Sequence, residues 1–159
     1  MDDIFLLLGS NLGDRPRHLR EATALLLDFF LITNQSSIYE SDPWGVEDQP
    51  VFLNQVLKGK SELSATELLQ AVLSVEKQMG RERRLKWGER IIDIDILYYH
   101  HQNVNTPDLI VPHPQIHNRR FTLVPLCEIA PGYQHPIFQK TQAQLLESCP
   151  DMLNVRIIS

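Results

Sequence analysis

The sequence predicts an α+β fold, an antiparallel sheet with helices packed on it, and three observations carry that prediction. Short apolar runs of strand length, IFLLLG at 4–9 and IIDIDILYY at 91–99, stand near the two ends of the first hundred residues. Two longer segments repeat apolar residues at helical spacing: Leu19, Ala22, Thr23, Leu26, Phe29 and Phe30, then Leu68, Leu69, Val72, Val75 and Met79. The signals follow the order strand, helix, strand, strand, helix, strand. That is the βαββαβ order of a ferredoxin-like sheet, with helices expected on one face.

Each element has a local reason. IFLLLG is a continuous apolar run stopped by Gly9, so it reads as a buried strand. GSNLGD (9–14) is turn chemistry leading into a helix, with Pro16 in the first turn. Residues 31–41 (LITNQSSIYES) read as one strand, and DPWGVEDQP (42–50) as a loop rich in Pro, Gly and Asp. VFLNQVLKGKSEL (51–63) reads as a second strand paired with the first. Ser64 and Glu67 form a capping box that opens the second helix. RERRLKWGER (81–90) is a charged connector, and 91–99 is the next strand. Residues 100–120, with Pro107, Pro112 and Pro114, look irregular. FTLVPLCEIAP reads as a short helix ended before Pro131, and another helix is expected near 141–149.

Composition narrows the function classes. The 159 residues read as a single domain, and 43% hydrophobic residues are enough for a core. A net charge of −5 disfavours general nucleic-acid binding, which usually needs a basic surface. Cys127 and Cys149 have no metal-type spacing and read as reduced thiols of a cytoplasmic protein. The apolar run after MDD is too short for a signal peptide or a membrane span, so no membrane partner is expected.

The chemistry lies in GERIIDIDILYY. Asp93 and Asp95 alternate with isoleucines, so they share one strand face while Ile92, Ile94 and Ile96 share the other. Their Cα atoms should be roughly 6–7 Å apart, a spacing at which two carboxylates can bracket one or two hard cations. A solvated strand face, or ion pairs with nearby arginines, is the plainer alternative. The connector before the pair holds Arg81, Arg83, Arg84, Lys86 and Arg90 against Glu82 and Glu89. Guanidinium groups beside a carboxylate pair suit a metal-bound polyphosphate, although such charge runs are also common as solvated loops. The Walker pattern G-x-x-x-x-G-K-[ST] is absent. His113 and His117 could ligate zinc, but Pro112 and Pro114 break any helix that would align them.

KWGERIIDIDIL (86–97) resembles the signature of the 6-hydroxymethyl-7,8-dihydropterin pyrophosphokinase family of folate biosynthesis. The resemblance extends to LGSNLGDR (8–15), DPWGVEDQPVFLN (42–54), VEKQMGRERR (75–84) and VPHPQIHNRRFTLVPLCEIAP (111–131), nearly the whole chain. It implies a ferredoxin-like α/β sandwich, a 1–159 pyrophosphokinase domain, and transfer of diphosphate from MgATP to the pterin hydroxymethyl group with release of AMP. By the same resemblance, Asp93 and Asp95 hold two magnesium ions. No strong base for the pterin alcohol is evident in the residues: Asp95 is a candidate, and metal polarisation of the hydroxyl is the alternative. Arg81, Arg83 and Arg90 face phosphates on a mobile catalytic loop, and Trp87 folds over the bound substrates. Glu76, His113 and Arg119 serve the nucleotide. Phe52 and Phe121 sandwich the pterin, Asn54 reads its polar edge, and Pro43, Trp44 and Gly45 lie in a loop closing over it. A flat ring is well held between aromatic faces, though either phenylalanine alone is more commonly plain core. Phe52 and Asn54, two apart on a strand, share a face.

The chain departs from the family pattern at Lys86, Glu89, Ile91, Asp108 and Ile110, which bears on nucleotide contacts. A monomer is expected, with ATP and the dihydropterin as its small-molecule partners. Two rival classes remain at this level: another two-metal phosphoryl or nucleotidyl transferase on a ferredoxin-like core, and a non-enzymatic small-molecule-binding module.

Overall fold

The computed structural model describes residues 3–42, 50–80 and 91–159. The elements are β1 (Ile4–Ser10), α1 (Arg15–Leu26), β2 (Leu31–Gln35), β3 (Tyr39–Ser41), β4 (Phe52–Lys60), α2 (Ala65–Gln78) and β5 (Asp93–Tyr99). There follow β6 (Val104–Asn105), β7 (Ile110–Val111), a 3-10 turn (Ile116–Asn118), α3 (Arg120–Ile129), α4 (Gln142–Glu147) and β8 (Val155–Ile157). The main sheet runs β5-β1-β4-β3-β8, with β2 also lying along β4, and the pairs are antiparallel. Through β5 the order is that of the expected ferredoxin-like sheet.

The helix starts follow the expected chemistry. Asp14 caps α1 by accepting a hydrogen bond from the Arg17 amide at 3.3 Å, with Pro16 in the first turn. At α2, Ser64 accepts from the Glu67 amide at 3.2 Å, and the Glu67 carboxylate accepts from the Ser64 amide at 2.9 Å. This reciprocal pair satisfies two amides that an uncapped helix leaves unpaired.

Helices cover both faces of the sheet, which corrects the expectation of one. Ile4, Leu6 and Leu8 of β1 pack with Leu19, Ala22 and Leu26 of α1 and Leu68, Val72 and Val75 of α2. Phe5 and Leu7 point the other way, into a cluster with Val56, Leu97, Leu123, Leu126 and Leu145 under α3 and α4. The reason is visible in the strand itself. A strand with one wet face alternates with polar residues, and Ile4–Leu8 has none; all seven residues of β1 are buried. Each buried leucine contributes about 1.5–3 kcal/mol relative to exposure.

Three further differences are local. Residues 31–41 form two strands, because the Ser36 hydroxyl enters the ladder and accepts from the Val56 amide at 2.9 Å, while the Ser36 amide donates to the Val56 carbonyl at 2.9 Å. The irregular stretch 100–120 contains the two-residue pairing of β6 with β7. β8, in a stretch with no clear pattern, extends the sheet beyond β3. Among the described residues no helix is long and apolar enough to cross a membrane.

Candidate active site

β5 delivers the two aspartates to the second face. Ile94 and Ile96 belong to the cluster under α1 and α2, so the alternating Asp93 and Asp95 face the side covered by α3 and α4. One step further, Ile96 pairs with Leu6 and Tyr98 with Phe5, leaving Leu97 as an extra bulged residue. The bulge lets both Leu97 and Tyr98 join the apolar cluster on that face. The polar end of the strand is thus separated from its apolar end.

Across the sheet the aspartates fall into register with the residues of the expected pterin site. Gly9 pairs with Asp93 on one side and with Asn54 on the other. Directly paired residues of an antiparallel ladder share a face, so Asp93, Gly9 and Asn54 form one row across β5, β1 and β4. Leu7 stands in the next row on this face, between Asp95 and Val56. At roughly 4.8 Å per strand, the Asp93 and Asn54 Cα atoms are about 10 Å apart.

Asn54 is held in a definite orientation. Its side chain is 2% exposed, and its Nδ2 donates to the Ser41 hydroxyl on β3 at 2.8 Å. Phe52, two residues earlier, is half-buried on the same face. The turn after β1 fixes the start of β4: the Arg15 guanidinium donates to the Val51 carbonyl at 2.7 Å, and Asn11 Nδ2 donates to the Pro50 carbonyl at 3.4 Å. The turn GSNLGD thus leads into α1, as expected, and its Asn11, with Arg15 of α1, also anchors the strand that carries Phe52 and Asn54.

α3 brings Phe121 and Arg119 to the same face. Phe121 packs partly buried against the second-face cluster. The Arg119 guanidinium carbon lies 5.5 Å from the centre of the Phe121 ring, within cation–π range. Burial lowers the Arg119 pKa, and the charges of Asp95 and Asp93 act against that lowering. His113 is pushed down to about 4, chiefly by burial and then by the Arg119 charge, with Asp93 opposing. Its Nδ1 accepts from the Gln115 amide at 3.1 Å, so the neutral ring carries its proton on Nε2 and offers it as a donor. Arg119, His113, Asp93 and Asp95 therefore form one electrostatic group, with one permanent cation, one neutral donor and two carboxylates.

Glu76 occupies a different position. It is 3% exposed on α2, and its carboxylate accepts from the Ile94 amide at 2.7 Å, between the two aspartates in sequence. It braces the backbone that presents them. Arg81, Arg83, Trp87 and Arg90 lie outside the described residues, as do Pro43, Trp44 and Gly45. So do Lys86 and Glu89.

Sequence reasoning missed several members. Ser41 hides in a strand pattern as one more small polar residue. Glu128 accepts from the Ser37 amide at 2.9 Å, the Ser37 hydroxyl at 2.8 Å and the Tyr39 hydroxyl at 2.7 Å, tying α3 to the strand that carries Ser41. Burial raises its pKa, but these bonds outweigh burial and the net shift is downward. No sequence signal pointed to this link. Gly9, in sequence a strand stop and the start of a turn, lies inside β1 between the two strands that carry Asn54 and Asp93.

The donor set fits magnesium. Among the described residues no group of three or more His, Cys, Asp or Glu side chains is placed to hold a metal ion. Two carboxylates on one face match a cation that takes its remaining ligands from water and phosphate oxygens.

Comparison with known proteins identifies the family and the fold. Residues 5–131 match the sequence model of the family described as 7,8-dihydro-6-hydroxymethylpterin-pyrophosphokinase (HPPK). A 2-amino-4-hydroxy-6-hydroxymethyldihydropteridine pyrophosphokinase of Aquifex aeolicus is 47% identical over 140 residues, covering 88% of this chain and 88% of that protein. The Bacillus subtilis protein of the same name is 46% identical over 127 residues, covering 79% of this chain and 76% of its own. Wild-type Plasmodium falciparum HPPK-DHPS, crystallised with SDX-DHP, superposes with a TM-score of 0.71 at 16% identity. The match covers 91% of this chain and 44% of that longer protein, and it speaks for the fold.

Proposed function

The chain belongs to the 7,8-dihydro-6-hydroxymethylpterin-pyrophosphokinase family, and from that premise we infer how its own residues carry the family reaction. It is a transferase of folate biosynthesis that moves diphosphate from ATP to the hydroxymethyl group of 6-hydroxymethyl-7,8-dihydropterin, yielding the pterin diphosphate and AMP. The proposal concerns the residues, the metal count and the path of the proton. The observation that carries it is the row Asp93–Gly9–Asn54, which puts a carboxylate pair and an amide on one face, in one register.

In this reading the pterin lies between Phe52 and Phe121, with its polar edge at Asn54 and its alcohol turned toward Asp93 and Asp95. Because Asn54 Nδ2 is committed to Ser41, its Oδ1 is the atom left to accept from the pterin's ring edge. Arg119 and the Nε2–H of His113 take phosphate oxygens, and Glu76 supports the nucleotide site through β5. Arg81, Arg83 and Arg90 complete the phosphate contacts. Trp87, Pro43, Trp44 and Gly45 cover the substrates. Two magnesium ions held by Asp93 and Asp95 would neutralise the polyphosphate and polarise the pterin hydroxyl.

The pterin oxygen forms a bond to the β-phosphorus of ATP. The bond from that phosphorus to the oxygen bridging the α-phosphorus breaks, and AMP leaves with that oxygen. The alcohol proton passes to a carboxylate oxygen of Asp95. Catalysis here is mostly positioning and charge neutralisation. The chain acts as one pyrophosphokinase domain.

The test is product identity. Incubation with MgATP and the reduced hydroxymethylpterin should give AMP and pterin diphosphate in equal amounts. ADP as the main nucleotide product would mean single-phosphoryl transfer and would overturn the reading.

A further inference from the structure

Resting on the reading above, we propose that Gly9 is a specificity-determining residue: its missing side chain keeps open the lane between Asn54 and Asp93 along which the pterin and its hydroxymethyl arm lie.

Glycine is a poor strand former, so a glycine inside a strand calls for a reason. Neither usual backbone reason applies at position 9. Among the described residues the positive-φ glycines are Gly13 and Gly80, so Gly9 adopts a conformation open to other residues. Nor does main chain crowd it: the nearest backbone atom to a Cβ there would be the Leu53 carbonyl oxygen at 3.9 Å, an ordinary contact. Gly59 on β4 shows what crowding looks like. A Cβ there would collide with the Leu31 carbonyl oxygen and stand 2.6 Å from the Phe30 ring.

What a Cβ at Gly9 would meet is the site. It would lie 3.1 Å from Asn54 Oδ1 and 3.6 Å from Cδ1 of Phe52. The first distance is too short for comfort, and the amide has little room to yield, because Nδ2 is held by Ser41 at 2.8 Å. On its other side Gly9 pairs with Asp93. A bicyclic ring with a one-carbon arm spans the order of distance between the amide and the carboxylate. Its path crosses Gly9, and any side chain there would occupy that path and turn Asn54 away.

The test uses Gly9→Ala in the full chain, with steady-state kinetics, thermal unfolding and ligand titration. A rise of at least tenfold in KM for the dihydropterin is expected, with KM for ATP within twofold of wild type and at most a small fall in Tm from the 3.1 Å contact with Asn54 Oδ1. An unchanged pterin KM in a variant of unchanged Tm would overturn the proposal. A fall in Tm with equal losses for both substrates would also overturn it, since that is the behaviour of a purely structural glycine. NMR of the wild-type protein gives an answer that needs no variant. Saturation with 6-hydroxymethylpterin should shift the Gly9 α-proton and the Asn54 side-chain amide signals, leaving Gly59 in place. A shift at Asn54 without one at Gly9 refutes the lane alone. Absence of both shifts, together with absence of AMP formation, removes the underlying reading and the lane with it.

Discussion

The two faces of the sheet share strands and differ in what they bury. Under α1 and α2 the cluster takes Ile4, Leu6 and Leu8 from β1 and Ile94, Ile96 and Tyr99 from β5, with the Glu76 carboxylate buried beside it on the Ile94 amide. Under α3 and α4 the apolar cluster stops at Leu7 and Val56, and the next row is Asp93, Gly9 and Asn54. One face supplies cohesion and, through Glu76, a brace for β5. The other divides its length between cohesion and chemistry, and the β5 bulge at Leu97 marks where one gives way to the other. Rigidity under α1 and α2 is what lets three polar or side-chain-free positions on the open face hold their register.

That contrast can be broken from either side. The largest effect is expected from the face under α1 and α2. Leu57→Ala removes a fully buried side chain from its cluster and should cost about 2–5 kcal/mol of stability, read by urea unfolding. Pterin KM in the surviving folded enzyme should hold; a large KM change with little loss of stability would mean the faces are not separable.

Asp95→Asn should do the reverse. A neutral amide cannot hold cations as a carboxylate does, and turnover should fall by at least about 10²-fold, equivalent to about 2.7 kcal/mol of transition-state stabilisation. Tm should stay near wild type. Near-normal turnover with magnesium would reduce the aspartates to a solvated strand face.

Phe121→Ala tests the border of the two halves. It should weaken pterin binding through loss of a stacked ring, roughly 0.5–1.5 kcal/mol beyond area burial, while ATP binding measured by calorimetry barely changes. Equal losses for both ligands would place Phe121 with the core.

The smallest effect is a pH dependence confined to the second face. His113 and His135 are both pushed down to about 4, mainly by burial. Their ordinary value is 6.5, so between about 6.5 and 4 the unfolded chain binds protons that the folded chain refuses. Stability should therefore fall as pH drops through that window and rise with pH across it. His135→Asn, which keeps an acceptor for the Ile137 and Phe138 amides that His135 Nδ1 serves, should flatten the slope in Tm-against-pH measurements. An unchanged slope would show that His135 carries none of it.

Much of this was legible in the sequence because it is written in short-range pattern. The period-two alternation of IIDIDI put both aspartates on one face, and S-x-x-E before an apolar stripe marked the start of α2. What was not legible depends on long-range pairing. The unbroken run Ile4–Leu8 did hold the signal for two covered faces, but the helix that covers the second lies more than a hundred residues later. The break at Ser36 comes from a hydroxyl entering a ladder with Val56, which no local window contains. Ser41 and Glu128 matter only through Asn54 and Ser37, partners that register supplies. Gly9 was invisible as a site residue for the same reason: its meaning comes from Asn54 and Asp93 on either side.

β1 is flanked in the finished sheet by β4 and β5, which follow it in the chain and are made later. Until Tyr99 has emerged to meet Ile4, a nascent chain carries Ile4–Leu8 without both of its neighbours. Loop closure over such separations is slow, and an uncovered apolar strand is open to wrong partners while it waits. The same centrality that makes β1 the spine of the finished site makes its first residues the most exposed to misassociation during synthesis.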